Sequence, residues 1–214
     1  MNEAIPFIFN IAILIFSIVV HEVSHGYAAL MQGDKTAQYE GRLTLNPLKH
    51  LEWFGSVLLP TISYLAGGFI FGWAKPVPYN PHNLRNKRWG PAYVAAAGPL
   101  VNISIAVVFG LIIRFLPGLG GILPGDFILN FLNIASLIVL LNLVLAFFNL
   151  VPIPPLDGSK LLFAFLPYRW HHVQIFMEQY GLFLFLMFIF FFSRLIFPIV
   201  IFSFKLITGS LPIF

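Results

Sequence analysis

The 214 residues are 59% hydrophobic and only 9% charged, whereas soluble domains carry about a quarter charged residues, so an ordinary soluble domain is excluded and a polytopic membrane protein is indicated. The formal charge of +4 comes from twelve Lys and Arg spread over short connections; they form no basic run, which argues against a nucleic-acid surface. Cysteine is absent, so any metal site must be built from His and carboxylates.

A helix that crosses a bilayer needs roughly 20 mostly apolar residues. The first qualifying stretch is Ile5 to Met31. Met1 to Pro6 has no basic residue and no small-residue cleavage site follows, so this segment is expected to stay in the mature protein. Thr36 to Leu45 (TAQYEGRLTL) alternates around Gly41 and predicts a short β-hairpin or extended ribbon. Phe54 to Phe71 is apolar but short, and Pro60, Gly67 and Gly68 interrupt it. Gly72 to Asn86 is Pro-rich and cannot be helical throughout. Pro91 to Leu116, Phe127 to Val151 and Leu182 to Ile207 are each long enough to span. For the last, the sequence leaves open whether it is one helix or is broken near Pro198. Nothing resembles a linker, so one membrane-embedded domain over residues 1–214 is expected.

Charge sets the orientation. Lys35, Arg42, Lys49, Lys75, Arg85, Lys87 and Arg88 lie between the first span and Pro91, and Lys160 and Arg169 follow the span ending at Val151. The excess of positive charge on cytoplasmic loops puts these regions inside and the N-terminus outside. A full crossing by Phe54 to Phe71 would strand the basic cluster outside, so this stretch is expected to be re-entrant. The loop Pro117 to Gly125 is then external. The fold class expected is an all-α polytopic membrane protein of four to six transmembrane helices, with a short β-hairpin and a re-entrant segment after the first helix.

The first span ends in His21-Glu22-Val23-Ser24-His25. Residues four apart on a helix share a face, so both imidazoles can reach one tetrahedral zinc ion, and Glu22 stands beside them as candidate general base. Ionisable groups in a hydrophobic span cost about 2.5–3.5 kcal/mol on insertion scales for an acidic residue at the centre, and persist mainly where function uses them. Such a site needs a third protein ligand. The candidates are Asp157, His50, His82, His171, His172 and the few other acids. Asp157 leads, because Pro152, Pro154 and Pro155 unwind the chain after the span ending at Val151, and span parity returns Asp157 to the level of His21 and His25. The four other histidines lie in polar connections and are expected at the membrane interface. Arg194 is expected to snorkel or to pair within the bundle, and the Phe residues dense from Phe183 to Phe204 to face lipid or pack.

Three segments in this order, His21 to His25, Ala97-Gly98-Pro99-Leu100-Val101-Asn102 and Asn149 to Gly158, resemble the site-2 protease family of intramembrane zinc metalloproteases over most of the chain. Gly72-Trp-Ala-Lys-Pro-Val-Pro78 and Asn46-Pro47 look like its compact branch, which lacks PDZ and CBS domains. The resemblance implies one zinc ion held by His21, His25 and Asp157, with Glu22 as catalytic base. It also implies a substrate or oxyanion contact from Asn149, for which a plain helix C-terminal hydrogen bond is the competing reading. Asn102 serves equally well as glue between helices. The implied function is hydrolysis of a peptide bond in or near the transmembrane segment of a membrane protein, releasing a regulatory fragment or clearing a remnant peptide. A helical substrate must unwind first, and the ribbon or the re-entrant segment is expected to hold it by strand addition. Two other classes stay open: a membrane metal-ion transporter and a catalytically silent metal-binding protein.

Overall fold

The computed structural model describes residues 4–52, 58, 62, 75–119 and 125–212. Among these residues every regular element is a helix: α1 (Ala4–Met31), α2 (Thr36–Tyr39), α3 (Gly90–Phe115), α4 (Gly125–Asn149), α5 (Asp157–Phe165), α6 (His171–Gln179), α7 (Gly181–Met187) and α8 (Ile196–Thr208). Four stretches are long and apolar enough to cross a membrane: Phe9–Met31, Gly90–Phe115, Ile128–Asn149 and Gly181–Thr208. Each falls on a span expected from the sequence, because in lipid a helix satisfies its own backbone and apolar side chains face outward without penalty. The re-entrant segment expected over Phe54 to Phe71 lies outside the described residues, apart from Leu58 and Ile62.

The last span is interrupted. Between α7 and α8 the chain passes through a π-turn at Phe188–Phe192 and a 3₁₀ turn at Ser193–Leu195. The break precedes Pro198, which is the third residue of α8; there a missing N–H costs nothing, because the first four amides of a helix lack intrahelical partners. Phe190 and Phe191 are exposed and Phe204 is fully buried, so the aromatic run both faces outward and packs. Arg194 is also exposed, as snorkelling requires.

The expected hairpin at Thr36 to Leu45 is corrected. Thr36–Tyr39 forms one helical turn. Asp34 accepts hydrogen bonds from Thr36 N–H (3.2 Å) and Thr36 Oγ1 (2.6 Å), which starts the turn. Gly41 ends it at φ +62°, with Arg42 N–H returning to Ala37 O, a left-handed helix stop. The glycine bends the chain as expected, but into a helix end that offers no strand edge for a substrate.

Asp34 also accepts from Asn80 N–H (2.7 Å) and Asn83 Nδ2 (2.9 Å) and is fully buried, so it ties the end of α1 to the segment leading into α3. Burial pushes its carboxyl up, but the donors from Thr36, Asn83 and Asn80 outweigh that and hold it below the usual range. A depressed folded pKa contributes stability that is present above the unfolded value, about 3.9, and is lost as pH falls through the folded value. An Asp34→Ala variant is therefore expected to be about 2–3 kcal/mol less stable at neutral pH. In thermal melts at a series of pH values, its gap from wild type should narrow below about pH 4. A gap that does not change with pH would show that the charge of Asp34 contributes nothing.

The apolar core lies between three spans, where Ala106 and Ile113 of α3 meet Leu132, Ala135, Val139 and Leu143 of α4 and Val200 and Phe204 of α8. At the opposite end of the bundle, Gln32 after α1 donates to Gly90 O at the start of α3 (3.2 Å), and Gly181 at the start of α7 presses on Pro154. The last turn of α1, the start of α3, the end of α4 and the start of the last span thus share one end, and the polar residues gather there.

Candidate metal centre

His21 and His25 project from one face of α1 toward the start of α5, where Asp157 is the first residue. Asp157 Oδ2 lies 3.1 Å from His21 Nε2 and 3.2 Å from His25 Nε2, and the two rings meet edge to face with centroids 4.7 Å apart. Ligand atoms about 2.0–2.1 Å from a tetrahedral zinc ion stand roughly 3.3–3.4 Å from one another, so the spacing fits such an ion. Glu22, half-buried, completes a group of donor atoms with His21 and His25 that all lie within 4.8 Å of one another.

The outer hydrogen bonds of the imidazoles decide which nitrogen faces inward. His25 Nδ1 donates to Val94 O at 2.7 Å; a carbonyl can only accept, so Nδ1 carries the proton. His21 Nδ1 lies 2.6 Å from Asn102 Oδ1. The Asn102 amide is oriented by a chain in which its Nδ2 donates to Asn142 Oδ1 (2.6 Å) and Asn142 Nδ2 donates to Ser17 Oγ (3.0 Å) and to Ile138 O (2.9 Å). Asn102 and Asn142 are fully buried and Ser17 nearly so. With both Nδ1 atoms donating, each neutral ring turns its Nε2 lone pair toward the Asp157 carboxylate. Two lone pairs and an anionic oxygen at this range repel unless a cation or protons lie between them, which suits the donor set to zinc.

Two glycines let these groups approach. A Cβ on Gly98 of α3 would lie 2.5 Å from His21 Nε2 and 2.7 Å from His25 Cε1, so the rings lie directly on bare backbone. A Cβ on Gly158 would lie 2.2 Å from Leu150 O, so only glycine lets α5 begin against the end of α4. One turn before Asn102, Pro99 withholds the amide that would bond Ala95 O, and the neighbouring Val94 carbonyl is the one that accepts from His25.

Glu22 is held from the other side. Its Oε2 accepts from Val77 N–H at 2.9 Å. The segment Lys75-Pro76-Val77 is in turn pinned by Arg42, whose Nη2 donates to Lys75 O (2.8 Å) and Pro76 O (3.3 Å). Pro76 C=O and Val77 N–H belong to one peptide group, so the guanidinium at one end strengthens the donor at the other. Lys75 N–H donates to His50 O (2.8 Å), and the His50 ring donates through Nε2 to Thr44 O (2.8 Å).

A cavity of about 240 Å³ opens onto the group, lined by His21, Glu22, His25, Val77, Asn149 and Asp157 among others. Asn149 therefore borders the cavity, while its Nδ2 donates to Leu145 O one turn back (2.9 Å). His50 is 1% exposed, buried under the Lys75 segment. His82, His171 and His172 are exposed and stand apart from the cluster. The roles of Val77, Arg42, Ser17 and Asn142 were not read from the sequence. The Pro-bracketed Val77 and two Asn residues facing inward from hydrophobic spans were the available signals.

A model of peptidase family M50 matches residues 9–130 and 121–192. The Bacillus subtilis (strain 168) protein named "Putative zinc metalloprotease YwhC" is 37% identical over 173 residues, covering 81% of this chain and 76% of its own length. MJ0611 of Methanocaldococcus jannaschii, of the same designation, is 31% identical over 196 residues, covering 85% of this chain and 88% of its own. Rip2 of Mycolicibacterium smegmatis, also so designated, is 34% identical over 155 residues, covering 71% of this chain but 55% of its own length. No solved structure matches the chain.

Proposed function

The chain belongs to peptidase family M50 and is a membrane zinc metalloprotease, and on that premise we propose that it hydrolyses a peptide bond within or near the transmembrane segment of a membrane-protein substrate. The reading covers both regulated intramembrane proteolysis and clearance of remnant peptides, carried out by a single membrane-embedded domain. The observation that carries it is the placement of Asp157 Oδ2 3.1 Å from His21 Nε2 and 3.2 Å from His25 Nε2, beside a carboxylate, at one end of a hydrophobic span.

In this reading His21, His25 and Asp157 hold one zinc ion. Zinc supplies Lewis-acid chemistry when bound, polarising a carbonyl and making water acidic enough to attack near neutral pH. Asn102 and Val94 keep the two imidazoles in the tautomer that binds. Glu22, fixed through Oε2 by Val77 N–H, accepts the proton of the attacking water and passes it to the leaving amine. Asn149 borders the same cavity and contacts the substrate backbone as it enters. The excess of Lys and Arg in the connections at this end supports a site facing the cytoplasm with the N-terminus outside.

A transporter would need metal ligands reachable from both faces near the midplane; here the donors gather at one end of the bundle, which favours hydrolysis. The test is purified wild-type and Asp157→Ala protein, each assayed for bound metal and for cleavage of a single-span reporter. Wild type is expected to hold about one zinc per chain and to cut, and the variant to lose both. Full metal and activity in the variant would remove Asp157 from the site. Zinc flux across vesicles without cleavage by wild type would overturn the protease reading.

A further inference from the structure

A second, larger cavity of about 570 Å³ adjoins the metal centre on the side away from the apolar core, enclosed by the segment Tyr79–Pro91, by α5 and by the chain from Leu166 to α6. Tyr79 and Lys160 line both cavities, so the two share a wall. The larger one carries three cationic side chains, Lys87, Arg88 and Lys160, against one carboxylate, Glu178. Lys160 Nζ is 3.9 Å from Glu178 Oε1, so that pair offsets itself. Among the described residues Lys87 Nζ bonds the carbonyl of His82, and Arg88 Nε donates to Ala164 O at 3.2 Å. Carbonyls orient these cations without neutralising them, and neither has an acidic partner among the described residues. Aromatic walls come from Tyr168 and Trp170.

We propose that this cavity is a specificity subsite, binding an acidic flank of the substrate where the chain leaves the membrane beyond the scissile bond. The proposal rests on the protease reading above and names what that site selects. A peptide lying across His21, Glu22 and Asp157 must continue somewhere, and the shared wall at Tyr79 and Lys160 leads it toward Lys87 and Arg88. Binding energy gathered there, away from the reacting atoms, is available to offset unwinding of the substrate helix at the metal. The charge also discriminates. Cytoplasmic flanks of membrane spans carry an excess of Lys and Arg, and a cavity with unneutralised Lys87 and Arg88 repels them, so the commonest spans are rejected by like charge while a minority with Asp or Glu is accepted. An anionic lipid headgroup offers the same chemistry, but nothing would then require the cavity to adjoin the metal centre; the shared wall favours the peptide.

The test uses the full chain in phosphatidylcholine vesicles with a single-span reporter whose flank on the metal-centre side carries three Glu, three Ser or three Lys residues. The ratio of kcat/KM for the Glu over the Lys flank is expected to be about tenfold, the scale of two partly exposed charge pairs, and carried mainly by KM. A Lys87→Glu/Arg88→Glu variant should reverse the order of the Glu and Lys flanks. A Lys87→Gln/Arg88→Gln variant should flatten it, which guards against misfolding of the reversed protein. Dissociation constants of the same reporters on Glu22→Gln protein read the subsite without catalysis, so an inactive enzyme and an indifferent subsite are told apart. Equal binding and cleavage of all three flanks by wild type would overturn the proposal. So would a wild-type preference that disappears on adding phosphatidylglycerol while the reversed preference of the Lys87→Glu/Arg88→Glu variant stays, which would give the cavity to lipid.

Discussion

A Glu22→Gln variant is expected to keep its zinc and to lose cleavage by about two to four orders of magnitude, the scale of a positioned general base. Glutamine preserves the length of the side chain and still offers an oxygen to Val77 N–H, now 2.9 Å from Oε2. The proposed ligands His21, His25 and Asp157 are untouched, with Asp157 Oδ2 still 3.1 and 3.2 Å from the two Nε2 atoms, so metal binding should survive. Only the capacity to take a proton disappears. Bound zinc measured on purified protein, together with initial rates on a membrane reporter, separates the possibilities. Loss of zinc along with activity would make Glu22 a ligand, and retained cleavage would take it out of the chemistry. In a transporter the same change would leave flux nearly unaltered.

Gly98→Ala is expected to be as damaging by a different route. Its Cβ would stand 2.5 Å from both Cε1 and Nε2 of His21 and 2.7 Å from Cε1 of His25, closer than any carbon tolerates. Neither ring is free to retreat, because Asn102 holds one and Val94 the other. Zinc affinity should fall about 10- to 100-fold, the cost of misaligning ligands through their supporting contacts, and cleavage at limiting zinc should fall with it. The helix itself gains from the exchange, since alanine is about 1 kcal/mol better than glycine in a helix interior, so helical content by circular dichroism should hold. A variant that binds zinc as wild type does would show that the rings can move aside.

The spans were legible because a bilayer imposes one crude demand, an unbroken apolar run, and Gly90–Phe115 met it despite Pro99. The pairing of His21 with His25 followed from helix periodicity, and the approach of Asp157 from span parity and three prolines. The ribbon at Thr36 to Leu45 was misread because alternation in a short segment says little once a neighbour supplies a cap: Asp34, two residues upstream, takes the Thr36 amide and Oγ1, and no periodicity count includes it. The burial of His50 and the grip of Arg42 on the Pro76 carbonyl depend on chain 25 and 34 residues away, distances over which local pattern carries no information. Asn142 lacked a motif; only its partners at 2.6 and 3.0 Å show what an amide does amid leucines.

The run of polar contacts from Ser17 through Asn142 and Asn102 to His21 laces three spans together. Parting any two of them would unhook an imidazole from its support, so metal affinity acts as a gauge of their spacing. Whatever yields to an incoming chain must lie outside that lacing, and the stretch Gly181–Thr208, with 11% of its apolar window buried against 33–39% for the others, is the least tethered wall.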